Sequence, residues 1–217
     1  MKTVALYCSS NREKPEFEQK IRDNILKNCG GMEIISVTQK PIDFGKNICV
    51  GDSIGVSGWN FFRQILIGCE STDADFILSI EADCLYGPDY FQFTPPELDV
   101  CYRNSNLYCM AHKRAIFWKK PEGATHAQIV GREFYVKTLK KLFEGLPMWS
   151  ATEKNFPKER YHKEDVFGII KHWETENPVV QLKTSDSMRF HTTTDRIDRD
   201  SLQYWGRADL LRAKFIK

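Results

Sequence analysis

The first 95 residues alternate between short apolar runs and segments with apolar residues at helical spacing. Residues 4–9 form an apolar run that ends in small polar residues, which is typical of a buried strand opening into a loop. Residues 15–28 repeat an apolar side chain every four positions from Phe17 to Ile25, which predicts a helix. Residues 33–38 are strand-like again. The order strand, helix, strand predicts a right-handed crossover and a parallel sheet.

A second helix and a strongly apolar strand follow a glycine-rich, polar stretch over residues 45–58. Ser57 suits the N-cap of this helix, and apolar residues recur at three- and four-residue steps through Cys69. Residues 76–80 are the most strand-like run of the chain. They lead directly into Glu81-Ala82-Asp83.

The second half of the chain predicts shorter and less regular elements. Helical spacing around Tyr135 indicates a helix that ends near Gly145, and residues 201–217 are typical of a basic amphipathic helix. Because no repeat, low-complexity tract or linker interrupts the sequence, we expect one α/β domain over residues 1–217. The other predicted elements are strands at residues 100–102, 107–110, 114–118, 179–183 and 188–191, and a helix carrying Val166, Ile169, Ile170 and Trp173.

Composition narrows the class of protein. The chain has 217 residues, of which 41% are hydrophobic and 28% charged, with a formal net charge of +2 at pH 7. These values are ordinary for a globular protein. No run approaches the roughly 18 consecutive apolar residues of a transmembrane helix, and the N-terminus is too short and polar for a secretory signal. The seven cysteines lack a CxxC pair, which favours reduced thiols and a cytoplasmic location.

Glu81 and Asp83 give the strongest chemical signal. They follow a buried strand with one small residue between them, and residues i and i+2 of an extended chain point to the same side. We therefore expect both carboxylates at the carboxyl edge of a parallel sheet, where ligands bind in open α/β folds. Carboxylate oxygens suit Mg²⁺ or Mn²⁺, which usually complete their coordination shells with substrate phosphate. A solvated strand end with two unrelated acids is the structural alternative.

The order of motifs from residue 51 to residue 83 resembles that of GT-A glycosyltransferases. Those enzymes carry a glycine-containing loop, an Asn-bearing helix start, a short turn, a hydrophobic strand and an Asp-x-Asp motif at about this spacing. The matching segments here are Gly51-Asp52, Gly55, Ser57-Gly58-Trp59-Asn60, Asp73-Ala74-Asp75-Phe76 and Ile77-Leu78-Ser79-Ile80-Glu81-Ala82-Asp83. The first acid of the motif is a glutamate in this chain.

The resemblance, in particular to small family-2-like enzymes of phage type, implies a fold and a reaction. The implied fold is GT-A, a Rossmann-like α/β arrangement with a mostly parallel central sheet flanked by helices. Residues 1–95 would be the nucleotide-sugar-binding half and residues 96–217 the acceptor-binding half. The implied reaction moves a sugar from a nucleoside-diphosphate donor, with a UDP-sugar as first choice, to a hydroxyl acceptor.

The resemblance also assigns residues to the metal and to the donor. Asp83, Glu81 and a late histidine, His191, would hold Mn²⁺ or Mg²⁺, and the longer arm of Glu81 also suits a contact with the sugar or ribose. Arg196, or alternatively Arg199, would neutralise the leaving diphosphate. A half-buried structural histidine is the alternative for His191. The donor contacts implied for the remaining positions are Ser9 and Arg12 at the nucleotide base, Asp52 and Asn60 at the nucleotide or sugar, and His126 and Gln128 at sugar hydroxyls.

Glu164 and Asp165 begin a predicted helix late in the chain. In inverting GT-A enzymes an acid in a similar context is the general base, which takes the proton of the acceptor hydroxyl. The resemblance therefore suggests Asp165 as the catalytic base and Glu164 as the second choice. A carboxylate at a helix N-terminus is also a routine electrostatic stabiliser, which is the alternative role.

The acceptor is predicted only by class. Basic clusters such as Lys119-Lys120, Lys140-Lys141 and the C-terminal tail suit a polyanion. Small phage enzymes that glycosylate hydroxymethylated pyrimidines in double-stranded DNA resemble this chain in size and layout, so such a base is our first hypothesis. A cell-surface or lipid-linked glycan, a nucleotidyltransferase reaction and a non-catalytic sugar-binding role are the alternatives. The chain lacks the GxGxxG, P-loop, HExxH and GxSxG motifs, which removes the direct evidence for four other enzyme classes.

Overall fold

The computed structural model describes residues 1–110, 113–120, 123–151, 167–187 and 197–216. The helices are α1 (Pro15–Asn28), α2 (Gly58–Glu70), α3 (Arg132–Leu142) and α4 (Ala208–Phe215), with 3-10 turns at Asp52–Ile54, Pro88–Gln92 and Thr125–Ala127. The strands are β1 (Thr3–Ser9), β2 (Ile34–Thr38), β3 (Lys46–Cys49), β4 (Phe76–Glu81), β5 (Cys84–Leu85), β6 (Cys101–Asn104), β7 (Leu107–Met110), β8 (Phe117–Lys119), β9 (Gln128–Gly131), β10 (Ile170–Trp173), β11 (Val179–Leu182), β12 (Asp198–Arg199), β13 (Ser201–Leu202) and β14 (Gly206–Arg207).

A mostly parallel sheet forms the centre of the described part of the chain. Its strand order is β10-β6-β9-β4-β1-β2-β3, and β9 runs antiparallel to both of its neighbours. The other four pairings in this sheet are parallel. The sheet and its flanking helices confirm the predicted α/β class, whereas the single domain over residues 1–217 and its two halves stay predictions.

The side-chain alternation of β1 explains how the helices cover both faces of this sheet. Ala5 and Tyr7 pack in the same buried cluster as the apolar face of α1. Val4, Leu6 and Cys8 point the other way and pack with the apolar faces of α2 and α3. Because successive strand residues point to opposite faces, one fully apolar strand supplies two cores. The predicted bounds of α1 and the predicted N-cap of α2 are confirmed, since the Ser57 side chain accepts the backbone N–H of Asn60.

A second sheet has the strand order β12-β8-β7-β11-β5. Apart from β5, its strands come from the later half of the chain. Strand β11 pairs antiparallel with β5, the short strand that directly follows Asp83. Gln181 is opposite Cys84 in this register, and the Leu182 N–H donates to the Asp83 carbonyl at 2.7 Å. This pairing brings residues from position 181 onward to the end of β4, about 100 positions away in sequence.

Two secondary-structure predictions from the sequence were wrong. The helix predicted around Ile170 and Trp173 is the strand β10, which pairs with β6. The backbone hydrogen bonds available at the edge of the sheet stabilise a strand here more than the short helical pattern of apolar residues stabilises a helix. The tail is helical only from Ala208, after the hairpin of β13 and β14. The strand β3, which was not predicted from the sequence, lies in the polar stretch after residue 45 and extends the sheet next to β2. The strand predicted at residues 188–191 lies outside the described residues.

The cysteines are almost all internal. All seven lie within the described residues, none forms a disulfide, and Cys49 is the exposed one. Burial raises the pKa of the Cys101 and Cys109 thiols to about 11 in each case. The buried thiols are therefore protonated at neutral pH and behave as small apolar side chains.

No helix within the described residues combines the length and apolar character needed to cross a membrane.

Candidate active site

A cleft lies at the carboxyl ends of the central strands. In the parallel register of β1 and β4, Cys8 is the neighbour of Glu81, so the two strands end side by side. The cleft is lined by the loop after β1, the N-terminal turn of α2, the end of β4 and the residues that follow β11. This edge is where the sequence predicted a ligand site.

Glu81 and Asp83 both line this cleft. Asp83 Oδ2 accepts a hydrogen bond from Gln181 Nε2 at 3.0 Å and forms an ion pair with Lys183 Nζ at 3.5 Å. Its other oxygen, Oδ1, lies 3.2 Å from the thiol of Cys84, which donates to it. Both oxygens of Asp83 are therefore engaged by neighbouring side chains.

Lys183 is a buried cation that the sequence reading did not single out. Its side chain is only 6% exposed, and it lines the cleft beside Asp83. Burial by itself would lower the pKa of Lys183, but the charge of Asp83, with smaller contributions from Cys109, Cys84 and Glu81, outweighs burial and raises it. Lys183 is thus charged at neutral pH. A lysine directly after a mostly apolar strand was the available signal in the sequence.

Within the described residues, the surroundings of Asp83 do not suit a bound Mn²⁺ or Mg²⁺. These ions prefer oxygen ligands, whereas Asp83 already shares its oxygens with an ammonium, an amide and a thiol. Ligand atoms of Glu81, Cys84 and His126 lie within 4.8 Å of one another, but this set mixes oxygen, sulfur and nitrogen. Burial and the nearby charges of Asp83 and Glu81 raise the pKa of the Cys84 thiol well above its usual value. Sulfur is in any case a soft ligand, whereas Mn²⁺ and Mg²⁺ favour oxygen.

The hydroxyl of Tyr86 fixes the end of β4. Tyr86 Oη accepts the backbone N–H of Glu81 at 2.9 Å and donates to the backbone carbonyl of His126 at 2.7 Å. The ring is fully buried and packs on Tyr90, 4.6 Å away between ring centroids. Tyr86 therefore ties two sides of the cleft, the acidic motif and the turn that carries His126, to one rigid side chain.

Replacement of Tyr86 by phenylalanine is expected to lower the free energy of unfolding by about 1–3 kcal/mol, because two buried hydrogen bonds are lost. Urea unfolding followed by circular dichroism measures the change. Tyr90→Phe is the matched control, since that hydroxyl makes one bond, to the Ser79 carbonyl at 2.6 Å. A loss for Tyr86→Phe no larger than for Tyr90→Phe would contradict the bridging role.

The loop after β1 forms the opposite wall of the cleft. Ser9 is buried, and its hydroxyl donates to Glu18 at 2.9 Å, whereas Arg12 is exposed and lines the cleft. Glu13 accepts hydrogen bonds from the hydroxyls of Thr184 and Ser187. Burial, followed by repulsion from Asp83 and Asp186, raises the pKa of Glu13 despite those bonds. The loop is thus fastened to the segment that follows β11.

Two of the predicted donor residues lie outside the lining of this cleft. Asn60 is 1% exposed, and its side-chain amide donates to the carbonyls of Ile54 and Gly55 and accepts the N–H of Ser150. Asp52 is exposed in the 3-10 turn that Asn60 supports. Asn60 therefore shapes a loop next to the cleft, and a direct donor contact by either residue stays a prediction.

Of the two residues predicted at sugar hydroxyls, His126 lines the cleft and Gln128 does not. His126 is buried and lines the cleft beside Glu81. Gln128 begins β9 and is fully buried, with its amide bonded to Tyr135 and Arg103. The remaining predicted residues, Glu164, Asp165, His191 and Arg196, lie outside the described residues, so their assignments stay predictions.

Comparison with known proteins gives the fold. No protein-family model matches the chain, and no curated protein matches it in sequence. It matches the solved structure of S. aureus TarS with a TM-score of 0.51 and 11% identity, over 84% of this chain and 37% of that one. The chain thus spans little more than a third of the length of that protein.

Two further structures extend the comparison. Residues 1–349 of S. aureus TarS in complex with UDP-GlcNAc match with a TM-score of 0.52 and 10% identity, over 88% of this chain and 62% of that one. The inositol-1-phosphate CTP transferase from T. maritima matches with a TM-score of 0.50 and 11% identity, over 86% of this chain and 91% of that one. The chain therefore has the GT-A type of α/β fold, which is found in both glycosyltransferases and nucleotidyltransferases.

Proposed function

We propose that the protein transfers a sugar from a nucleoside-diphosphate sugar to a hydroxyl acceptor, with a UDP-sugar as the first candidate donor. The observation that carries the proposal is the grouping of Glu81, Asp83 and Lys183 in one cleft at the carboxyl edge of a GT-A sheet. A TarS fragment that shares the fold was solved with UDP-GlcNAc, which supports a nucleotide-sugar donor here.

The donor would lie between the loop after β1 and the end of β4. Arg12 is exposed at the cleft and is available to a nucleotide, and backbone groups near Ser9 are the proposed contacts of the base. His126 would contact the donor sugar from the far side. Asp165 is the proposed general base for the acceptor hydroxyl, with Glu164 beside it.

The proposed acceptor is a hydroxymethylated pyrimidine in double-stranded DNA. Lys120 lines the cleft and supports a polyanion, whereas Lys140 and Arg207 are paired with Glu70 and Asp209, which reduces their contribution to a basic surface. Phosphate contacts release counterions, so binding to such DNA would weaken steeply as salt rises. A neutral glycan acceptor would show no such salt dependence.

A donor screen tests the proposed reaction. The protein is incubated with UDP-, GDP- and CMP-sugars in the presence of Mn²⁺ or Mg²⁺, each with and without EDTA, and release of the free nucleotide is measured. We expect slow donor hydrolysis with one nucleotide class and faster release when hydroxymethylated DNA is added. The absence of turnover and of nucleotide binding for every donor would overturn the proposal.

Nucleotidyl transfer is the second candidate, because the CTP transferase shares the fold. Enzymes of that kind need a glycine-containing, basic loop after the first strand to hold a triphosphate. The corresponding loop here, Ser9-Ser10-Asn11-Arg12, has no glycine. Pyrophosphate release from CTP or UTP in the presence of a sugar phosphate would favour this reaction over glycosyl transfer.

A further inference from the structure

We infer that the ammonium group of Lys183, and not a divalent metal ion, is the cation that stabilises the leaving diphosphate, so that sugar transfer by this chain is metal-independent. The inference rests on the proposed function and departs from the metal-dependent mechanism that the acidic motif suggests. It assigns a direct role to a residue from the second sheet, far from the motif in sequence.

The ammonium group of Lys183 is fixed at the cleft, next to Asp83. Its Nζ lies 3.5 Å from Asp83 Oδ2, and its side chain is 94% removed from solvent, yet it lines the cleft. The backbone leading to it is fixed on both sides, because Leu182 N–H donates to the Asp83 carbonyl and Lys183 N–H donates to the Met110 carbonyl. The ammonium is therefore held beside the acidic motif before any substrate binds.

The existing contacts of the Asp83 carboxylate disfavour a divalent ion at this position. A divalent ion on Asp83 would either share Oδ2 with the ammonium of Lys183 and the amide of Gln181 or displace the Cys84 thiol from Oδ1. Two positive charges would then lie within a few ångströms in a partly buried site, where repulsion is strong. A fixed ammonium supplies the neutralising charge without that cost.

The chemistry needs one positive charge at the place where negative charge develops. The acceptor oxygen forms a bond to the anomeric carbon, while the bond from that carbon to the β-phosphate oxygen breaks and its electron pair stays on the diphosphate. The acceptor proton passes to the general base. Lys183 donates a charge-assisted hydrogen bond to the departing phosphate oxygen, and preorganised charges of this kind strongly stabilise such transition states.

The test combines chelation with substitution. Turnover of the full chain with UDP-GlcNAc, or with the donor that the screen selects, is measured with EDTA and with added Mn²⁺. Lys183→Met and Lys183→Arg are compared with Lys171→Met, a lysine outside the cleft that bonds to Glu97. We expect wild-type turnover to be unchanged by EDTA and to fall about 100- to 1000-fold in Lys183→Met. Lys183→Arg retains metal-independent turnover.

Nucleotide binding separates a direct contact from a structural role. Calorimetric titration with UDP and with uridine is carried out on wild type and Lys183→Met. A direct phosphate contact predicts about 10- to 100-fold weaker UDP binding and unchanged uridine binding. Equal losses for both ligands, or a circular dichroism spectrum unlike that of wild type only in this variant, would identify a structural role and overturn the inference.

The outcomes keep the two proposals apart. If EDTA abolishes wild-type turnover and Mn²⁺ restores it, the inference about Lys183 is wrong and glycosyl transfer stands. If no sugar nucleotide is turned over or bound, the proposed function itself fails.

Discussion

Asp83→Ala is expected to lower the free energy of unfolding by about 3–5 kcal/mol, because it leaves the buried ammonium of Lys183 without its counter-charge. The pair is suited to such an effect, since the side chains of Lys183 and Asp83 are only 6% and 16% exposed. Turnover should fall at least about 100-fold as well, because Lys183 loses the partner that orients it. Chemical unfolding and donor turnover measure the two losses.

Two comparisons make this prediction specific. Asp73→Ala removes an aspartate whose ion pair with Lys2 is exposed, so almost no change in the free energy of unfolding is expected. The double variant Asp83→Asn/Lys183→Met removes both charges and should recover much of the stability without recovering turnover. An Asp83→Ala protein that unfolds like wild type would show that the pair contributes nothing to stability.

Asp165→Asn is expected to reduce sugar transfer to the acceptor by about 10²- to 10⁴-fold, because the amide cannot accept the acceptor proton. Binding of the nucleotide should stay unchanged, since the proposed role concerns the acceptor alone. Steady-state transfer assays and UDP titration give the two values. Glu164→Gln is the adjacent control and should retain transfer if Asp165 is the base.

The opposite result has a definite meaning. Full transfer in Asp165→Asn with a large loss in Glu164→Gln would exchange the two roles. If both variants keep every measurable property of the wild type, a sugar-binding protein without catalytic activity becomes the better description.

The parts of the fold that local sequence determines were predicted well. The apolar alternation of β1, the four-residue repeat of α1 and the capping hydroxyl of Ser57 all depend on neighbouring residues, and each agrees with the structure. The acidic motif could be placed at the end of β4 in the same way, because it directly follows an apolar strand in the sequence. These signals were enough to indicate the α/β fold and the edge of the sheet that holds the cleft.

Features that depend on distant pairing were beyond the sequence. Lys183 reaches Asp83 only because β11 pairs with β5, and no local pattern records that register. The strand β10 was mistaken for a helix because its four residues gain their hydrogen bonds from β6. The bonds of the Asn60 amide to the carbonyls of Ile54 and Gly55, which hold the neighbouring loop, were likewise not evident from the sequence, and its predicted donor contact stays a prediction.

The position of the exposed thiol allows a label to be placed near the cleft. Cys49 is the accessible cysteine of the chain, and its sulfur lies 3.5 Å from the carbonyl of Gln39, a residue that lines the cleft. Maleimide dyes react with exposed thiolates far faster than with buried thiols. A fluorophore attached at that one position would test the proposed nucleotide binding without any engineered cysteine.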